Sequence, residues 1–168
     1  MCLHSYFRAG FSAVLTSIAL NLVLSSCAKP APPPPPPPPP KPTIFQVGLA
    51  VASNVNPDSR GRASPIVARL FELKSLAAFQ SADFLAIFDR DKESLGNELV
   101  AKEDLILQPG ENRKFTRELH SDTRFVAVVA GYRDLERSRW RASVPVLLHE
   151  ITPITISVQE NDISIIQK

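Results

Sequence analysis

Residues 32–40 are nine consecutive prolines, flanked by Pro30 and Pro42. Proline fixes φ and has no backbone donor, so this tract cannot enter a helix interior or a central strand. It favours polyproline II at about 3.1 Å per residue, which gives the stretch from Pro30 to Pro42 a reach of ~40 Å when extended. The tract holds 11 of the 16 prolines and divides the 168 residues into an apolar leader and a remainder that reads as globular. That remainder, residues 43–168, has 168 − 42 = 126 residues. It is long enough for one hydrophobic core and too short for two ordinary domains. The tract itself reads equally as a semi-rigid stalk and as a low-complexity linker whose length is immaterial.

Ahead of the prolines, Arg8 is followed by an uncharged stretch over residues 9–24. A helix of that length spans about 24 Å, short of the ~30 Å hydrocarbon core. Ser12, Thr16, Ser17 and Asn21 lower its hydrophobicity further. A basic start, a short apolar run and small residues at its end describe a secretory signal peptide over residues 1–26 rather than a transmembrane anchor. Its end, Leu24-Ser25-Ser26-Cys27, resembles a bacterial lipobox. The resemblance implies cleavage before Cys27, which then heads a lipidated tether over residues 27–42. It also implies a thioether diacylglycerol and an N-acyl chain on Cys27, and no other cofactor. One acyl chain binds a membrane marginally, whereas several hold it stably. Ala28, in place of a retention aspartate, implies sorting to the outer membrane, with the domain on its periplasmic face.

Removing these segments changes the composition that matters. Cys2 leaves with the leader and Cys27 is acylated, so the folded domain contains no thiol for a disulfide, a metal site or a nucleophile. The formal charge of +2 also shifts. Arg8, Lys29 and Lys41 lie outside the domain, leaving 19 − 3 = 16 basic against 17 acidic residues, net −1. A nucleic-acid binder carries a basic excess or stripe, and there is none here.

From residue 43 the pattern turns to period two. Phe45, Val47, Leu49 and Val51 alternate with Gln46, Gly48 and Ala50, predicting a half-buried strand. Residues 53–64 are dense in turn formers and long for a hairpin loop, and long ordered loops tend to be functional. A second strand over residues 65–73 places Val67, Arg69, Phe71 and Leu73 on one face and Ile66, Ala68 and Leu70 on the other. A helical stretch follows, with Ser81 as the expected N-cap and Asp83 in the first turn. Phe84, Ile87 and Phe88 share a face there, expected to plug one end of a sandwich. Strands are then predicted over residues 99–107, 113–119, 125–130, 140–148, 153–158 and 163–166. The unbroken apolar run at 125–130 is the central one. Seven or eight strands with turns between them argue an all-β, two-layer sandwich with a short helical insertion after the second strand.

Chemistry-bearing constellations are weak. His120-Ser121-Asp122 holds three triad residue types, but adjacency in sequence is not triad geometry, and a turn with an Asx contact is the simpler reading. His149-Glu150 lacks the second histidine of a helical zinc motif. Arg133, Arg137, Arg139 and Arg141 surround Trp140, with Asp134 and Glu136 interleaved. Arg and Trp are common interface anchors. The simpler reading pairs the arginines with Asp134 and Glu136 and packs Trp140 on the core.

Taken in order, several segments resemble the TssJ family, outer-membrane lipoproteins of the type VI secretion system. These are the lipobox cysteine, a strand, a variable loop, Pro65-Ile66-Val67-Ala68-Arg69-Leu70-Phe71-Glu72-Leu73-Lys74, Phe79 and Ala82-Asp83-Phe84. Leu95-Gly96, Leu107-Gln108-Pro109-Gly110-Glu111, Val128-Val129-Ala130-Gly131-Tyr132-Arg133-Asp134-Leu135 and Trp140-Arg141 agree as well. The resemblance covers about residues 45–158. It implies a transthyretin-like sandwich without catalysis. It also implies a structural role: binding the periplasmic C-terminal region of the inner-membrane protein TssM, and through it TssL indirectly, with no nucleic acid or small-molecule substrate. The loop joining the first two strands is the implied contact. On position and expected exposure, the candidates here are Asn54, Val55, Asn56, Pro57, Asp58, Ser59, Arg60, Gly61 and Arg62. Two other readings are a small-ligand or cell-wall-binding periplasmic lipoprotein, with Trp140 and the arginines lining a groove, and an envelope hydrolase using His120 or His149.

Overall fold

The computed structural model describes residues 34–167, and its compact unit begins at Pro39. The expected signal peptide and Cys27 lie outside the described residues. The first strand forms where the alternation predicts it. In β1 (Ile44–Val51), Phe45, Val47, Leu49 and Val51 are all buried. β1 pairs antiparallel with β4 (Asn112–Glu118) and parallel with β7 (Ile151–Val158), and β7 pairs with β8 (Ile163–Gln167), giving the sheet order β4-β1-β7-β8. The second sheet has the order β3-β2-β5-β6, from β3 (Leu99–Leu107), β2 (Ile66–Leu73), β5 (Phe125–Ala130) and β6 (Arg141–Pro145). The architecture is the transthyretin-like two-layer sandwich with a helical insertion.

The centre of the second sheet, at β5 and the Leu70–Leu73 end of β2, is buried on both faces, which explains its composition. From β5, Val126, Val128 and Ala130 enter the core between the sheets, while Ala127 and Val129 point the other way. β2 divides likewise, with Ile66, Ala68 and Leu70 inside and Phe71 and Leu73 outside. A strand covered on both sides reads as a continuous apolar run rather than an alternating one.

The cover on the outer face is the insertion: α1 (Ala77–Ser81), α2 (Phe84–Asp89) and α3 (Asp91–Leu95). Phe79, Ile87 and Leu95, one from each helix, pack with Phe71, Leu73, Ala127 and Val129. This corrects the expectation that the Phe84–Ile87–Phe88 face plugs an end of the sandwich. It lies over a sheet face, because β2 and β5 present apolar residues there that need burying. Helices of five or six residues are not stable alone, so this packing is what maintains them. The cap also differs from expectation. Asp83 accepts a hydrogen bond from the Ala86 amide at 2.8 Å, whereas the Ser81 hydroxyl donates back to the Ala78 carbonyl at 3.2 Å.

Strand directions sort the connections into two poles. The β1–β2, β3–β4, β5–β6 and β7–β8 connections lie at one. The entry into β1 and the β4–β5 and β6–β7 connections lie at the other, where Leu119 donates to Thr43, Arg124 to Leu73, and Val146 to Arg124, all through backbone bonds.

The helical cover makes a direct prediction. Ile87→Ala empties a fully buried site and should cost about 2–5 kcal/mol in urea unfolding. Leu85→Ala, one step off that face at 60% exposure, should stay within about 0.5 kcal/mol of the parent.

Candidate functional site

The β1–β2 loop divides into a fixed root and a presented tip. At the root, the Ala52 amide donates to Val158 at 2.8 Å and its carbonyl accepts from Gly110 at 3.2 Å, fastening the loop to the β7–β8 and β3–β4 connections. The Asn54 side chain donates to the Glu160 carboxylate at 2.9 Å. Val55 and Asn56 then turn inward and are buried. Asn56 takes a left-handed φ of 47°, a conformation asparagine tolerates better than most residues. Its side-chain amide donates to the Pro65 carbonyl at 3.0 Å and its carbonyl oxygen accepts from the Arg133 amide at 2.9 Å. One side chain thus joins both ends of the β1–β2 loop to the β5–β6 connection. The expectation that all nine candidates are exposed fails at Val55 and Asn56, which anchor the loop.

Beyond Pro57 the tip is organised by Asp58. One carboxylate oxygen accepts from the amides of Arg60 and Arg62 at 2.9 and 3.0 Å, and the other from Arg62 Nε at 2.8 Å. The Gly61 amide closes the turn onto the Asp58 carbonyl at 2.8 Å, with φ 76° at Gly61. A left-handed backbone of this kind suits glycine. The Arg62 side chain, then the Arg62 and Arg60 amides, hold the Asp58 carboxyl below its ordinary value of 3.8. A depressed carboxyl pKa contributes order that is complete above the unfolded value and lost as pH falls through the lower folded one. The tip is therefore fully bonded at neutral pH. Ser59, Arg60, Gly61 and Arg62 are exposed at its end, and exposed Arg133 lies close enough to lower the Asp58 pKa further by its charge.

The neighbouring connections are equally fixed. Burial, reinforced by the Asp162 charge, raises the Tyr132 phenol pKa, and its hydroxyl donates to the Gln159 carbonyl at 3.2 Å. At the β3–β4 turn the Gln108 amide donates to the Glu111 carboxylate at 2.9 Å. That bond and Arg113 lower the Glu111 pKa.

Three of the four arginines around Trp140 are spent on structure. Arg137 pairs with Asp134 as expected, at 2.7 Å, but Arg139 pairs with Asp162 across to the β7–β8 turn. Arg141 donates to the Phe79 and Ala82 carbonyls at 2.8 and 2.9 Å, filling acceptors at the end of α1. Trp140 packs against both apolar clusters, edge-on to Phe84 at 5.3 Å. It lines no groove. An open depression of about 390 Å³ lies beside α3, and part of its charged lining is paired: Lys102 with Asp91, and Arg69 with Asp104 at 3.0 Å.

His120 and His149 fall at the other pole. His120 Nδ1 accepts from the Asp122 amide at 3.2 Å, while the Asp122 carboxylate faces Lys74 at 2.9 Å, so the contact is not the expected Asx one. The His120 amide and the Thr123 hydroxyl donate to buried Glu72 at 3.0 and 2.7 Å, which pins this turn. The His149 amide donates to Thr43 Oγ1 at 2.9 Å. Among the described residues, no three His, Cys, Asp or Glu side chains are grouped to hold a metal ion, and no helix is long and apolar enough to cross a membrane.

The relatives match this architecture. A model of the SciN family, described as type VI secretion lipoproteins including VasD, EvfM and TssJ, matches residues 43–161. The type VI lipoprotein TssJ1 from Pseudomonas aeruginosa is 37% identical with a TM-score of 0.73, over 76% of this chain and 97% of that one. Lip from Serratia marcescens, described as a membrane-bound component of the type VI secretion system, is 24% identical with a TM-score of 0.67, over 74% and 97%. A chain of the structure described as the TssM C-terminal domain from EAEC shares the fold at 22% identity and a TM-score of 0.62, over 74% and 98%. No curated protein sequence matches. The match across nearly all of the sandwich, and the identity to TssJ1, place this chain in the TssJ (SciN) family of type VI secretion lipoproteins, whose members are structural components and not enzymes.

Proposed function

We propose that this lipoprotein anchors the type VI secretion membrane complex to the outer membrane by binding the periplasmic C-terminal region of TssM, and through it TssL indirectly. In this reading, cleavage after residue 26 leaves Cys27 acylated and residues 27–42 link the lipid to the sandwich. The observation that carries it is the separation of the two poles. The chain enters the sandwich at one, and the β1–β2 loop is presented at the other. A domain tied to a membrane at one end and bonded into a rigid loop at the far end is built to receive a partner from the periplasm. The occurrence of the fold in a structure described as the TssM C-terminal domain supports that partner.

Within the loop the roles divide. Asn54, Val55 and Asn56 position, while Pro57, Asp58, Ser59, Arg60, Gly61 and Arg62 form the contact surface. A prefolded tip pays little ordering entropy on binding, which favours affinity.

Two outcomes test this. Replacing residues 58–62 with a glycine-serine turn, while keeping Val55 and Asn56, should abolish co-purification with the TssM periplasmic region. The melting temperature should stay within about 4 °C, the shift that ~1 kcal/mol produces in a domain of this size. Retained binding at parental strength would move the site elsewhere. Separately, Cys27→Ser should leave the domain folded but release it from outer-membrane fractions. Sedimentation of that variant with the outer membrane would remove the anchor.

A further inference from the structure

Seven large hydrophobic side chains are exposed among the described residues, and three of them, Leu147, Leu148 and Ile151, lie at one pole. Leu147 and Leu148 occupy the β6–β7 connection at 45% and 38% exposure. Ile151 opens β7 at 59%, beside Ile44 in the parallel register. Ile166 of β8, at 57%, sits farther along the sheet, opposite Thr155 midway along β7. Ile151, Pro153, Thr155 and Ile166 share the outer face of the first sheet, whereas the described helices pack on the second. Scattered exposed apolar residues need no explanation, but a contiguous group marks an interaction surface.

The group also sits where the chain arrives. His149 Nδ1 lies 2.6 Å from the Lys41 carbonyl, and the Ile44 amide donates to Glu150 at 2.9 Å. The end of the tether is thereby held against the turn that carries Leu147 and Leu148. His149 adopts a φ of 63° to make this turn, an uncommon conformation for a side-chain-bearing residue. Exposed charges at this pole balance, with Lys41, Lys74 and Arg124 against Glu118, Asp122 and Glu150. No acidic excess opposes an anionic lipid surface.

We propose that Leu147, Leu148 and Ile151 form a membrane-docking face that seats in the phospholipid interface beside the lipid anchor. The proposal rests on acylation at Cys27 and goes beyond it, because it assigns the domain a pose and not only a tether. A tether with a reach of ~40 Å confines the domain near the bilayer, so the surface meets this face at high effective concentration, which a second copy does not. Docked this way, the sandwich stands with the β1–β2 loop pointing away from the membrane. The tract then sets how far the domain can travel, and the face sets where it rests.

The mature domain has no thiol, so a single introduced cysteine in the acylated full chain takes a fluorophore cleanly. Labels at Leu148→Cys and Arg60→Cys are compared on vesicles of phosphatidylethanolamine and phosphatidylglycerol carrying bromine near the headgroup. The label at 148 should be quenched at least about twofold more than the label at 60, since interfacial side chains reach the headgroup–acyl boundary. Adding Leu147→Ser and Ile151→Ser should bring quenching at 148 down to the level at 60. Equal quenching at the two positions in a chain that floats with the vesicles overturns the docking face and leaves the anchor standing. A chain that does not float overturns both. Energy transfer between labels at 148 on different molecules, without lipid quenching, would overturn it by assigning the face to a second copy.

Discussion

Burial of both faces of β2 and β5 is the constraint on which this structure depends. The folded domain has no disulfide and no thiol-bound metal to restrain its unfolded chain, so apolar packing must supply its stability. A two-layer sandwich leaves two outer faces open. Here one is covered around Phe71, Leu73, Ala127 and Val129 by three short helices. In return, these residues hold together helices too short to persist alone. Gly131 belongs to the same arrangement. A Cβ there would lie 3.2 Å from the Phe88 ring and 3.5 Å from the Val67 carbonyl, so a side chain at this exit of β5 would have to push the Phe88 ring aside by a few tenths of an ångström.

The covered sheet gives the loop pole a rigid base, and polar side chains then fix the loops to one another. Asn56 joins the β1–β2 loop to β5–β6, Tyr132 joins β5–β6 to β7–β8, and Arg139 with Asp162 repeats that link at the surface. Most of these bonds run from a side chain to backbone. They satisfy main-chain groups that a loop packed against its neighbours would otherwise leave unpaired. The loop tip can therefore be exposed without being loose, and Asp58 completes the ordering by bonding three donors at once.

Much of this was legible in the sequence because burial imposes periods. Alternation placed β1, and the run at 125–130 identified a strand covered on both faces. Pairing was not legible, since alternation says which face is buried but not which strand lies alongside. The parallel β1–β7 contact is the clearest case. The proline at 153 suggests a strand start, yet β7 begins at Ile151. The bond from Ile44 to Glu150 turns the β1-facing groups of β7 to even positions. Pro153 faces the side where β8 pairing begins only at Ile154, and its missing donor leaves no ladder bond unmade. The candidate loop was found from its length and turn chemistry, but its inward half was not. Val55 and Asn56 sit among turn formers, and only tertiary contacts reveal them as anchors. An Asn-Pro step was the one local sign. Around Trp140 the simpler reading agrees for Arg137 with Asp134 and for Trp140 on the core, but the partners of Arg139 and Arg141, Asp162 and the α1 carbonyls, are remote in sequence and were not legible.

The central claim is that attachment and recognition occupy opposite poles of one rigid sandwich. Amide hydrogen exchange on the acylated protein in vesicles, with and without the TssM periplasmic region, tests it most directly. The account predicts that TssM slows exchange at residues 58–62 and at Arg133 and leaves residues 147–151 unchanged. Slowed exchange at 147–151, with residues 58–62 unaffected, would contradict it.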